Sequence, residues 1–191
     1  RKNLIISLSE VIIYSGPQRA FDLSYLNPLS SHLEVELNDR QNVLGTGSAN
    51  AIWQISLDYL FKNLIRVSGN VIIDELILDK IEKDNGKENG VGFSLRTVWT
   101  PIRDKNIVSL FLSIAQIGTH TLKHENGNNN FVHRGDPLGW IHGNDAKELR
   151  LGLNYIKYPN FIFTTEVGRR DTGENSIIVS PYQMNYDHQS G

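Results

Sequence analysis

From Ala51 to Phe61 every second residue is apolar. Ala51, Trp53, Ile55, Leu57, Tyr59 and Phe61 alternate with a set that includes Gln54, Ser56 and Asp58. A period of two puts these sets on opposite faces of an extended strand. The next segment repeats the pattern, with Ile65, Val67, Gly69, Val71 and Ile73 against Arg66, Ser68, Asn70 and Asp74. Val91, Phe93, Leu95 and Trp99 oppose Ser94, Arg96 and Thr100. Leu149, Leu151, Leu153 and Tyr155 oppose Arg150, Gly152 and Asn154, and Phe161, Phe163 and Val167 oppose Thr164, Glu166 and Gly168. Two segments are less regular. Glu10 falls on the apolar face of Leu4, Ile6, Leu8, Ile12 and Tyr14, and Phe111 falls on the polar side of Val108, Leu110, Leu112 and Ile114. The expectation is an all-β chain, an antiparallel meander of about seven strands of roughly 10 residues each. That exceeds the usual soluble strand of about 5–6 residues and matches a tilted bilayer crossing.

The connections alternate in length. Lys62-Asn63, Arg103 to Asn106 and Pro159-Asn160 read as tight turns, whereas residues 15–50, 77–90 and 119–148 form long loops. Long loops on one side and short turns on the other are the habit of a transmembrane outer-membrane β-barrel. The 191 residues are therefore read as one partial barrel domain, a stretch of a longer protein.

Composition agrees with strands rather than spanning helices. Apolar residues make up 39% and no run of 18 exists, so a transmembrane helix is excluded. Alternation keeps the mean hydropathy at −0.31, a value that a soluble β-protein and a barrel share. A net charge of −2 gives no reason to expect nucleic acid. Cysteine is absent, which removes disulfides, thiolate metal sites and cysteine nucleophiles together.

Tyr59, Phe61, Trp99, Tyr155, Tyr158 and Phe161 lie next to the short turns, and Tyr14 and Trp53 at the opposite strand ends, as interfacial girdles would. Arg66, Asp74, Arg96, Arg150 and Glu166 occupy the polar faces. A dry core would bury these charges at high cost, whereas a polar lumen accepts them. Pro101 is expected to end its strand, the Gly/Asn-rich stretch 125–130 to be a mobile loop tip, and the charged run 79–89 to be a solvated loop.

Three stretches carry a family resemblance. They are Glu10-Val11-Ile12-Ile13-Tyr14-Ser15-Gly16 with Tyr25-Leu26-Asn27-Pro28; Val67-Ser68-Gly69-Asn70-Val71-Ile72-Ile73-Asp74-Glu75; and His133-Arg134-Gly135-Asp136-Pro137-Leu138-Gly139 followed by His142-Gly143-Asn144-Asp145-Ala146. In order and approximate spacing they resemble the C-terminal half of Wzi-type capsule-assembly outer-membrane proteins. Position 75 departs from that pattern, being Glu where a second Asp is usual, as does position 144, being Asn where Pro is usual. The resemblance implies a monomeric barrel in the bacterial outer membrane, with loops facing the exterior. Its expected partners are outer-membrane lipid and capsular or extracellular polysaccharide, which it would help attach or assemble without catalysis and without a cofactor.

The loop residues His133, Arg134, Asp136, Trp140 and His142 are the candidate carbohydrate contacts. Trp can stack on a sugar face while Arg and Asp bridge hydroxyls or uronate carboxylates. The plainer alternative has Arg134 and Asp136 pairing locally and Trp140 at the membrane interface. His120, His124, His133, Asp136 and His142 are too widely spaced for a zinc site. Glu10, Asp74 and Glu166 read as lumen polarity rather than a glycosidase pair. Ser94, Ser109 and Ser113 sit in no nucleophile motif, and phosphate-binding Gly-rich loops are absent. Two other functions stay open: a passive pore or transporter, and a soluble β-sandwich lectin or hydrolase.

Overall fold

A computed structural model describes residues 3–16, 23–27, 29, 31, 49–75, 89–124 and 127–177. Most of the loops 15–50 and 77–90, including Pro28, and the polar tail 185–191 lie outside them. The described residues contain no α-helix, only short 3-10 turns at Leu23–Leu26 and Gly127–Asn129.

Seven long strands form one antiparallel meander. In chain order these are β1 (Leu4–Ile13), β2 (Asn50–Phe61), β3 (Ile65–Glu75), β4 (Gly90–Arg103), β5 (Asn106–Ile117), β8 (Ala146–Lys157) and β9 (Phe161–Thr172), each paired with its neighbour in that order. Between β5 and β8 lies a separate hairpin of two short strands, β6 (Val132–His133) and β7 (Asp136–Pro137). The seven long strands have 10 to 14 residues. The sheet does not close: β1 and β9 are its two edges, and both run in the same direction.

The register turns the alternation of each strand into two continuous faces. Ile6, Leu57, Gly69, Leu95, Ile114, Leu149 and Arg169 follow one another across the seven strands on one face. Apart from Gly69 and Arg169 this row is apolar. On the other face a row runs Ser7, Ser56, Asn70, Ser94, Ala115, Glu148 and Arg170. The apolar face is the more exposed one. Along β2, Trp53, Ile55, Leu57, Tyr59 and Phe61 are exposed, whereas Gln54, Ser56, Asp58 and Leu60 are half-buried. Among the described residues nothing packs over the apolar face as a second sheet would in a sandwich.

Both irregularities in the sequence pattern have a local cause. The Glu10 carboxylate accepts a hydrogen bond from the indole N–H of Trp53, its register partner, so the polar residue on the apolar face is not left bare. Phe111 faces inward and is buried opposite Gly152, with the Arg96 guanidinium 4.0 Å from its ring centroid on the same face. Pro101 does not end its strand. β4 continues to Arg103, and Pro101 sits in a break of register between Trp99 and Ile102, a bulge that tolerates the missing donor.

The short turns 62–64, 104–105 and 158–160 lie at one end of the sheet. Lys62 and Asn63 both have positive φ, which the tight reversal requires. At the other end the described loops fold back over the polar face. There Ile52, Ile117, Leu122, Phe131 and Ile177 form a small apolar core, with Ile13, Ile72, Val132 and Trp140 packed against it.

Candidate functional site

The loop end is held together by side-chain amides and carboxylates that bond to backbone. Asn144, fully buried, donates from Nδ2 to the Thr119 carbonyl and accepts at Oδ1 from the Ile177 N–H. Asn50 Nδ2 donates to the carbonyls of Asn129 and Lys123. Asn129 Oδ1 accepts from the Ser15 N–H at 2.9 Å, and Asn130 Oδ1 from the His124 N–H at 2.6 Å. Asp74 accepts from the Leu122 N–H at 2.6 Å. Asp145 accepts from the Thr119 hydroxyl and the Asn175 N–H. Loops lack the ladder bonds of strands, so buried loop backbone must find such partners. The result is a cap joined across sequence separations of up to 114 residues.

This cap corrects one expectation. Within 125–130, Asn129 and Asn130 are buried and bonded rather than at a mobile tip, and residues 125 and 126 lie outside the described residues. Asparagine in a loop serves equally as a solvent-facing turn residue or as a backbone staple, and composition alone does not separate the two. Lys123 is also buried here. Burial pushes its ammonium below the ordinary lysine range, and Asp145 acts against the shift.

The five candidate carbohydrate contacts fall into two groups. His133 and Asp136 pair across the β6–β7 hairpin, whose turn, Arg134-Gly135, has positive φ at both residues. His133, Arg134 and Asp136 are all exposed. Among the described residues no ion pair joins Arg134 to Asp136. Trp140 and His142 turn the other way. Trp140 is half-buried and packs on the apolar core of the cap rather than standing free. Its ring meets that of His142 edge-on, with centroids 5.1 Å apart.

His142 links the cap to charged residues on the polar face. Arg170 Nη1 lies 2.7 Å from His142 Nε2, and Glu148 Oε2 lies 3.4 Å from the same nitrogen. Arg150 Nε is 2.8 Å from Glu148 Oε1, but off the hydrogen-bonding direction, so the contact is ionic. Arg150 also faces Glu166 at 3.6 Å, and Arg170 faces Glu148 at 3.9 Å. Burial pushes the His142 imidazole below the ordinary histidine range. Arg170 and Arg150 act in the same direction, and Glu148 opposes them. Sequence spacing paired none of these residues with the loop, because β8 and β9 meet it only through the fold.

Beneath Trp140 the cap and the polar face border a half-open cavity of about 390 Å³. Its roof is Leu122, Phe131, Leu138, Gly139 and Trp140. Its floor comes from β1 to β5, with Gln54, Asn70 and Ser94 as the polar members. Among the described residues no group of three His, Asp or Glu is placed to hold a metal ion. Comparison with family models, with characterised proteins and with solved structures gives no match to this chain.

Proposed function

We propose that this chain is a stretch of a bacterial outer-membrane β-barrel that helps attach or assemble capsular or extracellular polysaccharide by binding it without catalysis. The observation that carries the membrane part is the inversion of exposure across the sheet. A water-soluble sheet hides its apolar face, whereas here the apolar face is outermost and the polar face is the sheltered one. Strands of 10 to 14 residues have the reach of a tilted bilayer crossing. Tyr59, Phe61, Trp99, Tyr158 and Phe161 are exposed near the short-turn end, where an interfacial girdle would lie.

β1 and β9 run the same way, so they cannot pair antiparallel with each other. Antiparallel closure takes an odd number of strands beyond these seven, which yields the even count usual for such barrels.

The polysaccharide part rests on the sequence resemblance and on the hairpin. His133, Arg134 and Asp136 stand exposed at the capped end, available to hydroxyls or uronate groups. Trp140 and His142 would act by holding that loop in place. Heat-modifiable gel mobility of the protein purified in detergent tests the barrel: a shift on boiling, with β-type circular dichroism before it, is expected. An Arg134→Ala, Asp136→Ala double variant tests the glycan role. Surface polysaccharide retention should fall, and unchanged retention with normal membrane insertion would reject these residues as the contact.

The pore remains the second reading, favoured by the charged residues Arg96, Arg150, Glu148 and Arg170 in two adjacent rows of the inner face. Against it, the cap lies over the inner face of β1 to β5. Steady single-channel conductance in planar bilayers would favour the pore.

A further inference from the structure

The cavity under Trp140 differs in chemistry from the charged surface beside it. Its volume, about 390 Å³, falls within the ordinary small-molecule range of roughly 300–1,000 Å³. No ionisable side chain lines it. The walls are aliphatic and aromatic, and the polar floor is a short relay. Gln54 Nε2 donates to Asn70 Oδ1 at 2.9 Å and to Ser56 Oγ at 3.1 Å, and Asn70 Nδ2 donates to Ser94 Oγ at 3.2 Å. This leaves Gln54 Oε1 as an acceptor and the Ser94 hydroxyl as a donor, neither taken by another described residue.

We infer that this cavity binds an uncharged ligand with a hydrocarbon body and a hydroxyl at one end, of the size of a medium-chain alcohol. The ligand's hydroxyl meets the Gln54–Ser94 floor and its hydrocarbon body fills the space below Leu138 and Trp140. A charged ligand would lose part of its hydration with no counter-charge in the lining. A sugar ring would turn most of its hydroxyls toward hydrocarbon, leaving them unpaired. The site is thus distinct from the exposed hairpin proposed to meet polysaccharide.

The probe is 8-bromooctan-1-ol, whose bromine quenches tryptophan at contact. These 191 residues carry Trp53, Trp99 and Trp140. A Trp53→Phe, Trp99→Phe variant leaves Trp140 as the sole reporter, in lipid nanodiscs or in aqueous buffer. Because the readout is the same in both, its failure is separable from failure of the membrane assignment. Saturable quenching of Trp140 is expected, and Ala115→Phe, which fills the cavity floor, should abolish the saturable part. Should Ala115→Phe lose its β-type circular dichroism, Ala115→Leu serves instead. Ser94→Ala should weaken bromooctanol about 3- to 10-fold while leaving 1-bromooctane unchanged, the loss of one hydrogen bond. Non-saturating quenching that is identical in the filled variant would overturn the site. Saturable quenching by methyl 6-bromo-6-deoxyglucoside but not by bromooctanol would overturn the ligand class.

Discussion

Phe111 lies over Gly152 so closely that no side chain fits between them. A Cβ at position 152 would fall nearer to the Phe111 ring than real Cβ contacts come, and 2.9 Å from the Thr165 carbonyl oxygen. Phe111 is almost fully buried on the inner face, so the pair acts as a lock between β5 and β8. Gly152→Ala should destabilise the sheet by about 1–3 kcal/mol through overpacking. Urea unfolding followed by circular dichroism reads the loss. Phe111→Leu in the same chain should recover part of it, because contacting residues are not additive.

Asn144 holds two segments of the cap with one amide. Asn144→Ala leaves the Thr119 carbonyl and the Ile177 N–H without these partners in a buried setting. Each orphaned group costs about 1–3 kcal/mol. Hydrogen exchange at the Ile177 amide should then speed up at least about tenfold, while amides in the middle of β4 and β5 keep their protection. Equal acceleration throughout would mean that the cap and the sheet unfold as one unit.

His142 gives the cap a pH dependence. Its imidazole is held below its ordinary 6.5, first by burial and then by Arg170. The unfolded loop therefore takes up a proton at a higher pH than the folded one. The contribution is fully present above about 6.5 and is lost as pH falls through the lower folded value. Glu148, Arg150, Arg170 and the Trp140 ring all face the group, and Glu148 moderates the loss. In the single-Trp140 chain the emission should shift to the red as the pH is lowered below 6.5. The His142→Gln variant should show no such transition.

The two faces of the sheet were legible because a strand's side chains alternate, and β2 carries that code almost without error. Phe111 broke the code for a reason outside its own strand: its space comes from Gly152, 41 positions later. Pro101 read as a strand end because a bulge has no periodic signature of its own. The cap was the least legible part. Its staples are Asn and Asp side chains reaching backbone groups far along the chain, and such residues look the same in a solvated turn. For the same reason Trp140 and His142 could be singled out with His133, Arg134 and Asp136, but their separation into a half-buried pair and an exposed trio could not.

These 191 residues contain no cysteine, so a single cysteine placed among them is the one labelled site in this stretch. The most direct test places one at each position from Leu149 to Tyr155 along β8 except Gly152, where Phe111 leaves no room for a side chain, labels it with a nitroxide, and compares collisions with oxygen and with a water-soluble nickel complex in lipid bilayers. Positions 149, 151, 153 and 155 should favour oxygen and positions 150 and 154 should favour nickel, an alternation with lipid on the apolar face. Nickel accessibility at 149, 151 and 153 equal to that of the even positions would contradict the assignment, because the apolar face would then be meeting water.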